Sequence, residues 1–240
     1  MRLLTASIDF RLFLMLTFGF IVFTIIGTVS HESGHYLVAK CLGYEARINY
    51  ATTPWYDKNN EAFLHSHWNL YSEQIRLDQN FPDKEKWDML KFRQQRDSYW
   101  ITLGGTLQTI LTGTIGLLFL CVFRKRYYFA IELSFPLWLM IFISLFWLRQ
   151  AANFCVGAVK FLAHGSFCSH SDEFILARRL NIPEWTISTI TASIALIILA
   201  VVIFKFIPIK QRLTFMLAGI LGGVSGYFLW LIYFGKIIMP

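Results

Sequence analysis

The chain has 240 residues, of which 55% are hydrophobic, 17% aromatic and only 15% charged, and its mean hydropathy is +0.49. That balance excludes an ordinary soluble domain and describes a polytopic membrane protein whose outer solvent is lipid bilayer. The net charge of +7 comes without the basic-aromatic groove pattern of a nucleic-acid binder, so no nucleic-acid partner is expected; Lys and Arg gather at segment ends, where they meet headgroups and fix orientation.

In chain order, the first element is the apolar run Leu12 to Val29, which continues to Leu42. As one helix, Leu12 to Leu42 would measure about 46 Å against a hydrocarbon core of about 30 Å. Arg2 and Arg11 precede the run, but no small-residue cleavage pattern follows it, so the segment is expected to be retained and not removed as a signal peptide. Its second half holds His31-Glu32-Ser33-Gly34-His35, an HExxH pattern. Residues four apart share a helix face, so His31 and His35 can both offer an imidazole nitrogen to one Zn²⁺, with Glu32 about 100° round the helix as a general base. A helix end with two interfacial histidines and a solvated glutamate is the bland alternative, but ionisable residues beside a spanning segment are costly without a functional reason.

Gly43 is the expected helix stop. The stretch from Gly43 to Ser98 is the only long polar one and reads as a loop, 43–99, inserted after the HExxH helix. Within it, β-prone residues from Ala46 to Tyr56 predict a short hairpin. His65 and His67 are two apart, a spacing that only a strand would turn to one face, and a solvated loop is the expectation. Apolar stretches then follow at Trp100 to Phe123, Tyr127 to Leu148, Trp185 to Ile207 and Leu213 to Phe234, which with the first make about five spans. The basic connections Arg124-Lys125-Arg126 and Lys205 to Arg212 fall on the N-terminal side, cytoplasmic by the positive-inside rule, with Arg178 and Arg179 opposing from the other side. Between Arg149 and Asn181 the chain fits neither a full span nor a normal loop. Ala151 to Ala163 is apolar but short, and a re-entrant or broken-helix segment is expected there, which is tolerated at depth only where it is buried or lines a cavity. The architecture expected is a single all-α polytopic membrane domain over 1–240.

Catalytic zinc takes three protein ligands and keeps one position open. Candidates for the third ligand are Asp172, Glu173, His170 and His164 in the irregular segment, and His65 and His67 in the polar loop. Competing readings stand beside them. Ser171 or Asp172 could instead cap a helix over Glu173 to Leu180, Gly104-Gly105 could serve helix packing as well as a site, and Asn153 needs a hydrogen-bond partner with or without a substrate. The four cysteines, Cys41, Cys121, Cys155 and Cys168, form no CxxC, so neither a disulfide framework nor a zinc ribbon is indicated, and Cys155 and Cys168 read as small buried hydrophobes before they read as ligands.

Three features in order resemble the site-2 protease family of intramembrane zinc metalloproteases: HESGH followed by Tyr36-Leu37-Val38-Ala39-Lys40-Cys41-Leu42-Gly43, then Gly104-Gly105-Thr106-Leu107-Gln108, then Asn153 followed at a distance by Ser171-Asp172-Glu173. The resemblance covers roughly Ile21 to Leu180. It implies a zinc site of His31, His35 and Asp172, Glu32 as catalytic general base, Asn153 holding substrate or the transition state, and Gly104-Gly105 close to the site. The implied activity is hydrolysis of peptide bonds within or beside transmembrane segments of substrate proteins, by a multi-pass protein of the cell membrane. The Asn-x-x-Pro and Leu-Asp-Gly surroundings common in that family are absent here, and Asp172 is followed by Glu173 in place of Gly. A metal-binding or transport protein, and an inactive membrane scaffold of the same fold, are the competing readings.

Overall fold

The computed structural model describes residues 7–128, 130–165 and 171–240. Asp9 opens the first helix: its Oδ1 accepts the Leu12 N–H at 3.0 Å, satisfying one donor that a helix start leaves orphaned. The helix that follows, α1 (Phe10–Cys41), runs 32 residues and ends where Gly43 takes φ +86°, the left-handed conformation of a glycine stop. Tyr44 then leads into a two-stranded antiparallel hairpin, β1 (Glu45–Ala46) against β2 (Trp55–Tyr56), with Glu45 opposite Tyr56. This agrees with the hairpin expected over Ala46 to Tyr56.

The rest of the polar stretch is helical, which its composition had hidden. Helix α2 (Glu61–Arg76) lies across the first part of α3 (Lys84–Val122), and Leu64, Phe81, Trp87 and Leu90 bury a small cluster between them. Helix α3 therefore begins at Lys84 and not at Trp100; its 39 residues rise about 58 Å, nearly twice the hydrocarbon thickness, so its polar first half stands clear of the membrane. His65 and His67 sit on α2, where residues two apart face different ways. His67 Nδ1 donates to the Phe63 carbonyl at 2.9 Å, and its Nε2 lies 3.7 Å from Asp83.

After the short α4 (Arg124–Tyr128), α5 (Phe135–Ser144), a 3₁₀ turn at Leu145–Trp147 and α6 (Leu148–His164) follow as one continuous helical span, Phe135–His164. Ala151 to Ala163 is thus the second half of the third span, interrupted only by the 3₁₀ tightening, and not a re-entrant piece. Arg149, Gln150 and Asn153 pull the hydropathy of this span to 1.5, the lowest of the five, which is why it reads short. Helix α6 stops at Gly165, φ +69°. Ser171, extended, leads into α7 (Asp172–Arg179). The chain ends with α8 (Trp185–Val201), which winds into a π-helical turn at Val202–Phe206, then α9 (Ile209–Tyr227), a second π-helical stretch at Phe228–Phe234, and α10 (Gly235–Ile238).

Among the described residues five helices are long and apolar enough to cross a membrane, and the chain is an all-α polytopic membrane protein. Helix α1 packs along both α9 and α3, α3 against α5, α6 against α8, and α7 against α3 and α8. The core joins Leu16, Leu120, Trp138, Ile141, Phe142, Val202 and Phe215; Phe142 stacks on Phe23 at 4.7 Å and meets Phe20 edge-on at 5.0 Å, the two geometries aromatic rings prefer. Phe18, Leu111, Leu118, Ile197 and Ile220 point outward and are exposed, as suits a surface solvated by lipid.

The two ends of the bundle are distinct. At one, the Asp9 N–H donates to Thr214, and Tyr127, Tyr128, Ala130 and Ile131 share a groove with the turn at 204–212. At the other, the hairpin holds the chain's last residues: the Tyr50 N–H donates to the Met239 carbonyl, Arg47 to that of Pro240, and the Trp230 indole to that of Tyr50. Tyr44 anchors the hairpin base to α3 through a 2.9 Å hydrogen bond to buried Asp97. Burial first, then that hydrogen bond, push its phenol up to about 12, so it remains a donor at any ordinary pH.

Candidate metal centre

His31 and His35, one helical turn apart on α1, present their rings nearly at right angles with centroids 4.8 Å apart. What receives them is a single stripe of α3. A methyl group at Gly34 would lie 2.5 Å from the Gly104 carbonyl oxygen, and one at Gly104 would lie 2.7 Å from that of Gly34, so the two backbones meet where neither carries a side chain. A methyl group at Gly105 would overlap the His35 imidazole. One turn before and one turn after Gly105, the Ile101 carbonyl accepts from His35 Nδ1 at 2.7 Å and the Thr109 hydroxyl pairs with His31 Nδ1 at 2.9 Å.

These partners fix the tautomers. A carbonyl only accepts, so His35 Nδ1 carries a proton, and in the neutral ring its Nε2 presents a lone pair. The Thr109 hydroxyl gives its own proton to the Gly105 carbonyl at 3.2 Å, so its oxygen accepts from His31 Nδ1, which in the neutral ring leaves His31 Nε2 equally bare. Both bare nitrogens point at one place. They are 3.1 Å apart, and Asp172 Oδ2 lies 2.8 Å from His31 Nε2 and 3.2 Å from His35 Nε2. With both imidazoles neutral, three acceptors this close repel one another unless a cation or a shared proton lies among them.

A zinc ion in tetrahedral nitrogen and oxygen coordination sets its ligand atoms about 3.3 Å apart, close to the 2.8, 3.1 and 3.2 Å sides found here. The imidazoles also each donate the far N–H to a protein oxygen, the usual support of a metal-binding histidine. The residues therefore fit the ion. Asp172 retains 18% side-chain exposure against 2% for His31 and 10% for His35, so the open side of the triangle lies towards α7.

Asp172 is the first residue of α7 and Ser171 the extended residue before it. Packing of α7 on α3 and α8 brings Asp172 to histidines 141 and 137 positions away in sequence. Glu32 is buried beside the triangle; ligand atoms of His31, Glu32 and His35 all lie within 4.8 Å of one another. Its Oε2 accepts from the Thr53 hydroxyl at 2.9 Å, and its Oε1 lies 4.0 Å from Arg149 Nη2. Thr53 sits in the hairpin loop just before Pro54, and through its hydroxyl the hairpin reaches back onto the HExxH helix.

Asn153, on α6, donates its amide to the fully buried Glu173 carboxylate at 3.2 and 3.4 Å. That pair ties α6 to α7 and so helps to place Asp172. His164 ends α6, and Cys155 is free and exposed; His170 and Cys168 lie outside the described residues. Ile101, Thr109, Thr53 and Arg149 escaped the sequence reading. Only Arg149 carried a signal, as a cation in an apolar setting.

The fold and the site define a polytopic helical membrane protein in which two buried histidines of a span meet a half-buried aspartate from α7, with a buried glutamate against them. Comparisons with protein-family models, with curated proteins and with solved structures each return no match, so the functional argument rests on the site.

Proposed function

We propose that this chain is an intramembrane zinc metalloendopeptidase of the site-2 protease type, which hydrolyses peptide bonds within or beside transmembrane segments of other proteins. The observation that carries the reading is the triangle of ligand atoms from His31 and His35, inside a span, and Asp172, docked onto it from α7, with Glu32 beside it. These three residues would hold Zn²⁺, which when bound supplies a Lewis acid for the scissile carbonyl and acidifies water. Glu32 takes the proton of the attacking water and returns it to the leaving amine as the C–N bond breaks. Thr53 orients the carboxylate for that transfer by occupying its Oε2. Asn153, through Glu173, holds α7 and thereby Asp172 in place. A substrate helix must unwind before its carbonyls can be attacked, since they are otherwise bonded within the helix. The cell membrane is the proposed location, with the basic turns on the cytoplasmic side.

One observation favours a second reading. Glu32 is close enough to the histidine nitrogens to be a metal ligand itself, as in a metal-binding or transport protein. Glu32→Gln separates the two. As a base it is lost without effect on the metal: zinc content of the purified protein stays at the wild-type level while proteolysis falls below about one per cent, the scale of general-base loss. Loss of zinc from this variant, or retained proteolysis, would sink the peptidase reading.

A further inference from the structure

Arg149 stands at the beginning of α6, just after the 3₁₀ turn and inside the third span. A guanidinium there is costly unless it is paired or functional. Its Nε is buried with no hydrogen-bond partner, and among the described residues its one ion pair is with Glu32, at 4.0 Å, outside hydrogen-bond reach. The side chain keeps 25% exposure, so the guanidinium remains partly accessible at the site. The carboxylate it faces already accepts from Thr53, and Asn153 has given its amide to Glu173. The site thus holds a cation with unspent donors next to the proton carrier, and among the described residues no protein acceptor fills them.

We propose that Arg149 is a catalytic residue of the hydrolysis assigned above, donating to the scissile carbonyl oxygen as that oxygen becomes negative. The inference rests on the peptidase reading. In the step concerned, the water oxygen bonds to the carbonyl carbon, the carbonyl π pair moves onto oxygen, and the water proton passes to Glu32. Collapse then breaks the C–N bond, and Glu32 protonates the departing nitrogen. Negative charge builds on the carbonyl oxygen in the first half and leaves it in the second. A planar guanidinium already beside Glu32 brings a full positive charge and free donors to that oxygen.

The test uses the full-length protein in detergent, loaded with zinc, as wild type, R149Q and R149M. Two fluorescent peptides of one apolar sequence serve as probes: one with a phosphinate anion in place of the scissile amide, mimicking the tetrahedral oxyanion, and its ordinary amide parent, bound by E32Q forms to prevent turnover. Both Arg149 variants should keep their zinc and their affinity for the amide, while phosphinate affinity falls roughly 100-fold, the effect of losing one oxyanion donor. Equal phosphinate affinity in wild type and R149Q overturns the role of Arg149 and leaves the peptidase reading standing. So does loss of zinc or of folding in both variants, which would make Arg149 structural. A shifted acid limb in the pH profile of casein hydrolysis with phosphinate affinity unchanged would make it a positioning residue for Glu32, again against the proposal. Failure of zinc-loaded wild type to bind the phosphinate at all rejects the peptidase reading itself.

Discussion

Thr109 does for His31 what the Ile101 carbonyl does for His35: it takes the proton of the nitrogen that faces away from the triangle. Thr109→Val keeps the shape and removes that acceptor, leaving a buried N–H without a partner. We expect zinc affinity to fall by about 10- to 100-fold with the fold intact, as measured by competition with a chromogenic chelator. Unchanged affinity would mean that the tautomer is set by something else. Asp172 and Glu173 are neighbours with different partners, one facing the histidines and the other Asn153. Asp172→Ala should therefore deplete zinc as His31→Ala does. Glu173→Gln should retain it, because the amide can still pair with Asn153. Zinc loss confined to the Glu173 variant would displace Asp172 from the ligand set.

At the level of elements, the site is a seam between α1 and α3. Gly34 and Gly104 let the two backbones touch, and the bare Cα of Gly105 makes room for the His35 ring. Gly105→Ala should push that ring out of the triangle, so that zinc content drops sharply while Gly27→Ala, which meets no neighbouring atom, leaves it unchanged. The overpacking itself is worth about 1–3 kcal/mol, to be read as a lower melting temperature than wild type in the zinc-free state. A Gly105→Ala protein that binds zinc normally would show that α3 can yield there. Helix α7 has a similar duty. It carries Asp172 at its first residue, and the hydrogen bond of half-buried Asn153 to buried Glu173 fastens it to α6.

For the molecule as a whole, the five spans set the N-terminus, the turn at 124–126 and the turn at 205–212 at one end, with the hairpin, α7 and the C-terminus at the other. Arg124, Lys125, Arg126, Lys205, Lys210 and Arg212 crowd the first end. The opposing pair at the second end is engaged: Arg178 binds Glu184 at 2.7 Å and Arg179 donates to the Gln95 carbonyl. Short basic connections resist translocation, so we expect the first end to face the cytoplasm. In a cysteine-free background, an impermeant maleimide added to intact cells should label a cysteine at position 59 and spare one at 125. The opposite pattern would invert the protein. His31 lies about 15 Å of helix from the hairpin end of α1, so water would reach the site from that side.

Much of this was legible in the residues alone, and for a local reason. Hydropathy summed over a window finds spans, and a spacing of four on a helix puts His31 and His35 on one face, because each depends only on neighbours in sequence. The third span was misread because Arg149, Gln150 and Asn153 lower its hydropathy for the sake of contacts that no window contains. The hydrogen-bond partners of the histidines lie 78, 66 and 141 residues away. Helix packing alone decides that Thr109 and Ile101 face inward, that Gly105 admits a ring, that Asn153 meets Glu173 and that Arg149 stands beside Glu32. Local pattern was enough for an all-α membrane protein and an HExxH face within a span. The tertiary structure decided which carboxylate completes the triangle, since that depends on where α7 docks against α3 and α8, a matter of shape between distant segments.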